Sequence, residues 1–239
     1  MKLDEILASL FPEGHAIAVS DGLILGEGHL RDGGVIHVLG IAAETPLGVE
    51  GALTLARRVL DIAARDGAEP ILVLIDSSSQ RMSRRDELLG ISEYLAHLAK
   101  ALMLAQARGH RTIGLLYGGS AAGAFIATAL AAGALAALPG AHPAVMDLPS
   151  MARVTKLPLD VLEEKAKATP VFAPGLENLA KTGAIQTIWD PRTPLARQLR
   201  EWLATSTAGD GRDQLGAERG GRPKAAVIAA RVVAELSNA

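Results

Sequence analysis

Residues 112–146 contain no Asp, Glu, Lys or Arg. A charge-free span of this length is either a membrane helix or part of a buried core. A membrane helix needs about 20 unbroken apolar residues. Here Gly118-Gly119 and Pro139-Gly140 interrupt the span, and the pieces between them are mostly Ala and Gly, which drive insertion weakly. The span therefore reads as core: a buried strand over 112–117, a turn made by Gly118 and Gly119, and a helix of small residues starting near Ser120. A strand that turns sharply into a helix leaves backbone N–H groups at the positive end of the helix dipole. Those groups are the raw material of an anion or oxyanion site.

The rest of the composition narrows the choices. The chain has 239 residues, enough for one large domain or two small ones. It is 49% hydrophobic but only 3% aromatic, so Ala and Gly supply the excess and close packing of small side chains is expected. A net charge of -2 provides no basic field for a nucleic acid. There are no cysteines, which removes disulfides, thiolate catalysis and Cys-based metal sites. His15, His29, His37, His110 and His142 are scattered without ligand spacing, so no metal is expected. The first ten residues form an amphipathic pattern with acidic positions and lack the apolar core of a signal sequence, so a cytoplasmic location is expected.

Along the chain, 17–25 and 35–42 read as strands, with Gly26-Glu-Gly-His29 and Arg31-Asp-Gly-Gly34 as turns. A helix is expected over 50–66, and Ile71-Leu-Val-Leu-Ile75 is a strand buried on both faces. That strand ends in the polar loop Asp76-Ser-Ser-Ser-Gln-Arg81, at the strand end where α/β proteins place their sites. One long helix with the stripe Leu88, Ile91, Leu95, Leu98, Leu102 and Ala105 follows, stopped by Gly109. Short strands are expected at 135–138 and 185–189, with a further segment at 144–148. Helices follow Pro149 and begin at Thr193-Pro194. The domain reading is one domain over 1–205, a flexible polar loop at 206–222, and a C-terminal helix of the same domain over 223–239.

Gly118-Gly-Ser-Ala-Ala122 comes one residue short of the Gly-x-Ser-x-Gly elbow that presents a nucleophilic serine. Hydrolases of that type need an acid and then a histidine later in the chain. After Ser120 the one histidine, His142, precedes the first acid, Asp147. The order fails, so Ser120 is not expected to be a nucleophile.

The central half of the chain resembles the crotonase and Clp-peptidase superfamily. Ser120-Ala-Ala-Gly-Ala-Phe125 and Met146-Asp-Leu-Pro149 are similar to two runs of Clp-type serine peptidases, with Ala121 at the nucleophile position and Asp147 at the histidine position. The peptidase residues are absent, while the turn that forms an oxyanion hole is kept. Enoyl-CoA hydratases are similar through a Gly-Gly-Gly run that overlays Ala121-Ala122-Gly123.

A narrower resemblance is to the C-terminal carboxyltransferase half of acyl-CoA carboxylases. It is carried, in order, by Ile41-Ala-Ala-Glu-Thr-Pro-Leu-Gly48, Leu72-Val-Leu-Ile-Asp76, His97-Leu-Ala-Lys-Ala-Leu102 and Ala121-Ala-Gly-Ala-Phe125. The carboxylase loop Asp-x-Pro-Gly is replaced by Asp76-Ser-Ser-Ser-Gln-Arg81, and the chain is too short for both carboxyltransferase halves. A short single-half chain with Gly-Gly-Ser-Ala-Ala-Gly-Ala-Phe resembles the gamma subunits of biotin-independent malonate decarboxylases.

That resemblance implies an α/β crotonase-like superhelix of repeated ββα units, of the carboxyltransferase C-half type. It implies a beta subunit supplying the other half of the site, an acyl carrier protein subunit and an acyl-transferase subunit. The expected reaction is decarboxylation of malonyl-S-acyl carrier protein to the acetyl thioester and CO2. No cofactor or biotin is expected on this chain, the acyl thioester being carried on a phosphopantetheine-type arm or CoA. Loss of CO2 leaves an enolate with its charge on the thioester oxygen, and one backbone donor there contributes roughly 3 to 4 kcal/mol.

The resemblance points to the N–H groups of Ala122, Gly123 and Ser79 as the donors, with Ser78, Gly119, Ser120, Ala121, Ala124 and Arg81 around the substrate. Arg84 and Arg85 read as a solvated helix start, Glu44 as a strand-end turn with a possible proton-relay role, and His97 as a buried helical histidine. Two alternatives stand beside this reading. One is an enoyl-CoA hydratase or isomerase, which lacks the expected Glu because Phe125 and Ile126 stand there. The other is a noncatalytic scaffold subunit of a carboxyltransferase complex.

Overall fold

The structure, a computed structural model, describes residues 1–170, 173–205 and 209–237. A helix α1 (Leu3–Leu10) leads into strands β1 (His15–Ser20), β2 (Leu23–His29) and β3 (Val35–Ile41). Helix α2 (Val49–Ala63), strand β4 (Ile71–Ile75), helices α3 (Arg84–Leu88) and α4 (Ile91–Ala107) and strand β5 (Thr112–Leu116) follow. Then come β6 (Gly119–Ala121), α5 (Ala122–Phe125) with a π-helical continuation Ile126–Leu130, β7 (Ala134–Ala137) and β8 (His142–Ala144). The remaining elements are α6 (Leu148–Thr155), α7 (Leu159–Ala168), α8 (Leu176–Lys181), β9 (Thr187–Ile188), α9 (Leu195–Ala204), α10 (Arg212–Glu218) and α11 (Ala225–Ser237).

Seven strands form one sheet in the order β1-β2-β3-β4-β5-β7-β9. The first two pairings are antiparallel and the rest are parallel. Strand alternation divides the core into two layers. Ile71, Val73 and Ile75 of β4 face α2 and α4, whereas Leu72 and Leu74 join the layer built by α1 and α9. Every residue of β4 and β5 is buried, as a parallel sheet covered on both faces requires. Because the central strands run parallel, their C-terminal ends meet along one edge of the sheet.

Several local expectations change. The stretch read as one strand over 17–25 is a hairpin, turned by Asp21 and Gly22 at φ 51° and 76°. Asp-Gly with both residues at positive φ is the chemistry of a type I′ turn, and its strong signal lay inside a stretch that otherwise alternates like a strand. Gly26-Glu-Gly-His29, expected as a turn, lies inside β2; the Phe11 ring packs where Gly28 would carry a side chain. The long helix breaks at Gly90, in the left-handed conformation, into α3 and α4. The helix expected from Ser120 begins at Ala122, because Gly119–Ala121 is extended and pairs in parallel with β8.

The segment 206–222, expected as a flexible loop, contains α10; its residues 206–208 lie outside the described residues. Its arginines explain why a polar sequence orders: Arg212 donates to the Leu130 carbonyl at 2.9 Å and Arg219 to the carbonyls of Ala180, Ile185 and Gln186 at 2.8, 2.9 and 2.7 Å. Among the described residues no helix is long and apolar enough to cross a membrane.

His37 of β3 is buried, and burial lowers its pKa below 6.5 despite the opposing Glu27 carboxylate. Glu27 Oε1 lies 3.1 Å from Nδ1 as a charge contact without hydrogen-bond alignment. A depressed folded-state pKa means that the unfolded chain binds more protons below 6.5. Stability is therefore full above pH 6.5 and falls as pH drops from there through the folded-state pKa. Urea unfolding of wild type and His37→Gln at pH 7.5, 6.5 and 5.5 should show a shallower loss for the variant.

Candidate active site

The two loops leaving the ends of β4 and β5 are fastened to each other residue by residue. Asp76 Oδ1 accepts the Gly119 N–H at 3.0 Å, and the Ser77 N–H donates to the Gly119 carbonyl at 2.7 Å. The hydroxyls of Ser77 and Ser120 meet at 3.2 Å, both buried. Gln80 Oε1 accepts the Gly123 N–H at 2.8 Å. On its other side the β4 loop is held by Leu47, whose N–H donates to the Ser79 carbonyl at 2.9 Å and whose carbonyl accepts the Arg81 N–H at 2.8 Å. A β-carbon on Gly118 would collide with the Asp76 carboxylate, so the first glycine of the turn is required by close approach.

Ala122 sits where the chain passes from extended to helical, at φ +50°, a left-handed conformation that L residues avoid. Gly123 follows it, half-buried like Ala121 and Ala122, and the π-helical turn starts three residues later. Such strained backbone and π-helical insertions concentrate at functional sites. A side chain on Gly123 would press on Leu95 Cδ1 at 2.8 Å and Gln80 Oε1 at 3.3 Å. The space in front of the Gly123 N–H is thus small and already holds one oxygen.

The sequence-expected residues divide into two sets. Ser78, Ser79, Ala121, Ala122 and Gly123 are exposed or half-buried along the rim. Gly119, Ser120 and Ala124 are buried beneath it. Strand alternation in β6 turns the Ser120 side chain down onto Ser77, and Ala124 is on the core side of α5. Arg81, expected around the substrate, lies beside carboxylates of its own chain, Glu50 at 3.5 Å and buried Asp86 at 3.8 Å. Arg85 completes the cluster, and its hydrogen bond to Glu50 holds that carboxyl below the usual range.

Asp147 is the N-cap of α6, its side chain accepting the Ser150 N–H at 2.6 Å, which explains an acid at that position without catalysis. His97, expected buried, is exposed on the outer face of α4. Reasoning from sequence missed Gln80. No periodicity marks a residue whose role is to reach across to another loop, and its place inside the polar loop was the one available signal. Among the described residues no three His, Asp or Glu side chains gather as a metal site.

The mixed sheet and its connections form a fold that this chain shares with parts of two solved carboxyltransferase-type chains. Halves of transcarboxylase 12S (TM-score 0.70, 18% identity, 87% of this chain and 43% of that one) and of the beta subunit of geranyl-CoA carboxylase from P. aeruginosa (0.64, 18%, 93% and 42%) share the fold. The chain belongs to the malonate decarboxylase gamma subunit family, whose model matches residues 42–236. It is similar over 98% of its length to a chain of equal extent (97% covered) in a Pseudomonas malonate decarboxylase hetero-tetramer in complex with coenzyme A, at 26% identity and TM-score 0.77. A Pseudomonas MdcD-MdcE hetero-dimer gives 26% identity and 0.76, with 97% and 98% covered. A curated relative, the malonyl-S-ACP:biotin-protein carboxyltransferase MADD of Malonomonas rubra, is 28% identical over 167 residues, 64% of this chain. The match spans 57% of that relative's length.

Removing the Asp76 carboxylate leaves the Gly119 N–H without its acceptor, so Asp76→Ala should destabilise the chain by about 1 to 3 kcal/mol. Asp76→Asn, which keeps an oxygen in place, should recover most of the loss in the same denaturant titration.

Proposed function

We propose that this chain supplies one half of a malonyl-thioester decarboxylase site and that a beta subunit supplies the other. The substrate is a malonyl group on the phosphopantetheine-type arm of an acyl carrier protein, and the products are the acetyl thioester and CO2. The activity is that of a carboxy-lyase within a heteromeric complex that also holds the carrier protein and an acyl-transferase subunit. Family membership supports this reading, and the Pseudomonas relatives named above are hetero-dimer and hetero-tetramer complexes, one of them with coenzyme A.

The observation that carries the reading is the Gly123 N–H directed at an amide oxygen, Gln80 Oε1, at 2.8 Å. That oxygen is the stand-in for a thioester carbonyl: same element, same hybridisation, same distance as an oxyanion-hole contact. Ser79, the second expected donor, is the neighbour of Gln80 in the chain, and among the described residues no acceptor holds its N–H. A substrate oxygen takes the place of Gln80 Oε1, and Ala122, Gly123 and Ser79 then donate to the enolate oxygen as CO2 leaves. No group of this chain needs to act as acid or base for the C–C bond to break.

Exposed apolar side chains next to the rim support a subunit partner on this side. Met82, Leu88, Ile126, Val145 and Met146 flank the two loops and are open to solvent in the single chain. Exposed apolar side chains gathered around a site are the composition expected of a protein interface.

The test is a complex of this chain with its beta partner, assayed for CO2 release from a malonyl thioester without biotin. Gly123→Val keeps the backbone N–H but crowds the space beside it; it should assemble normally by gel filtration and lose about a hundredfold or more in kcat, as when an oxyanion-hole donor can no longer reach its oxygen. Full activity in an assembled variant overturns the hole and favours the scaffold reading. CO2 retained until a biotin protein is added would point instead to carboxyl transfer, the activity in the name of the M. rubra relative.

A further inference from the structure

On the same rim stand two ionisable side chains that C–C bond cleavage does not use. Glu44 Oε1 lies 3.4 Å from His142 Nε2, and both side chains are about two-thirds exposed, at 63% and 65%. They come from different elements, the loop after β3 and the first residue of β8, so sequence spacing gave no hint of the pairing. Three features make this more than a chance surface contact. The backbone at Ala43 and Glu44 is left-handed at two successive non-glycine residues, φ 57° and 50°, a conformation that persists only where its surroundings impose it. The restraints are visible: the Ser78 N–H donates to the Glu44 carbonyl at 3.1 Å, and the Thr45 N–H and hydroxyl close onto the Ala42 carbonyl at 3.2 and 2.7 Å.

The second feature is the ring's position. His142 pairs in register with Gly119, and a β-carbon on Gly119 would sit 2.9 Å from Nε2 and 3.0 Å from the Ser77 carbonyl. The imidazole therefore lies directly over the turn that begins the candidate site. The third feature is orientation: Nδ1 faces the Gly140 carbonyl at 3.4 Å while Nε2 faces Glu44. Both ring nitrogens thus have an oxygen within 3.4 Å. The other ionisable groups nearby are committed. Asp76 accepts the Gly119 N–H, Arg81 faces Glu50 and Asp86, and the hydroxyl of half-buried Tyr117 donates to the Ile41 carbonyl, its pKa pushed up by burial and then by Asp76.

We propose that His142, oriented by Glu44, donates the proton that converts the acetyl enolate into the acetyl thioester. This rests on the decarboxylase reading above. The bond from the α-carbon to the carboxylate breaks and its electron pair enters the enolate as CO2 departs. The α-carbon then takes a proton from the imidazolium ring, the thioester carbonyl re-forms, and the neutral imidazole regains a proton from solvent through its exposed edge. Glu44 is a positioning residue that holds the ring over Gly119.

The test uses the assembled complex and two readouts. One is CO2 release from the malonyl thioester. The other is exchange of the methyl hydrogens of the acetyl thioester with deuterated water, which runs the protonation step in both directions without CO2. His142→Ala should lower exchange about a hundredfold or more, the usual effect of losing a general acid, and added imidazole should restore part of it. Glu44→Gln should lower kcat for exchange with KM unchanged. Wild-type exchange in an assembled His142→Ala complex that still releases CO2 overturns the proposal, as does a loss that imidazole leaves untouched. A wild-type complex that releases no CO2 overturns the decarboxylase reading instead.

Discussion

Four hydrogen bonds between the loop after β4 and the turn after β5 hold the site together: Asp76 to Gly119, Ser77 to Gly119, Ser77 to Ser120 and Gln80 to Gly123. Each satisfies a polar group that the end of a buried parallel strand would otherwise leave unpaired. They also explain why the sequence there is so restricted. Gly118 must lack a side chain to let Asp76 in, Ser77 and Ser120 must be small and hydroxylic to meet in the interior, and Gly123 must leave its N–H reachable. A turn that is strained at Ala122 persists because this lacing over-determines it.

The proposed chemistry follows from how little the site contains. A malonyl thioester already carries its leaving group, so the barrier is lowered by stabilising charge on one oxygen. Backbone donors suit this because they are fixed by the fold and are already oriented before the reaction starts. Gln80 fits the same logic, since its amide oxygen satisfies the Gly123 donor when substrate is away, sparing the free chain an unpaired N–H.

The layers of the core were legible in the sequence because burial leaves a periodic mark. The unbroken apolar run 71–75 and the charge-free span at 112–146 located the two strands that carry the site, and an ordered set of short motifs located the fold family. Contacts that cross between loops leave no such mark. Gln80 against Gly123, Glu44 against His142 and Arg212 against Leu130 join residues far apart in sequence, with nothing local to advertise them. The polar stretch 206–222 misled for the same reason, because its arginines cap carbonyls elsewhere in the chain. The Asp21-Gly22 hairpin was legible and was overlooked, since the residues on both sides continue the same alternation.

The central claim is that backbone donors of this chain polarise the thioester carbonyl, and infrared difference spectroscopy reads that bond directly. An acetyl thioester labelled with carbon-13 at its carbonyl should show its stretch at lower frequency when bound to the beta–gamma complex than when free or bound to the beta subunit alone. A carbonyl stretch that does not move in a catalytically active complex would contradict the account, because an oxyanion hole cannot stabilise the enolate oxygen without contacting the carbonyl it comes from.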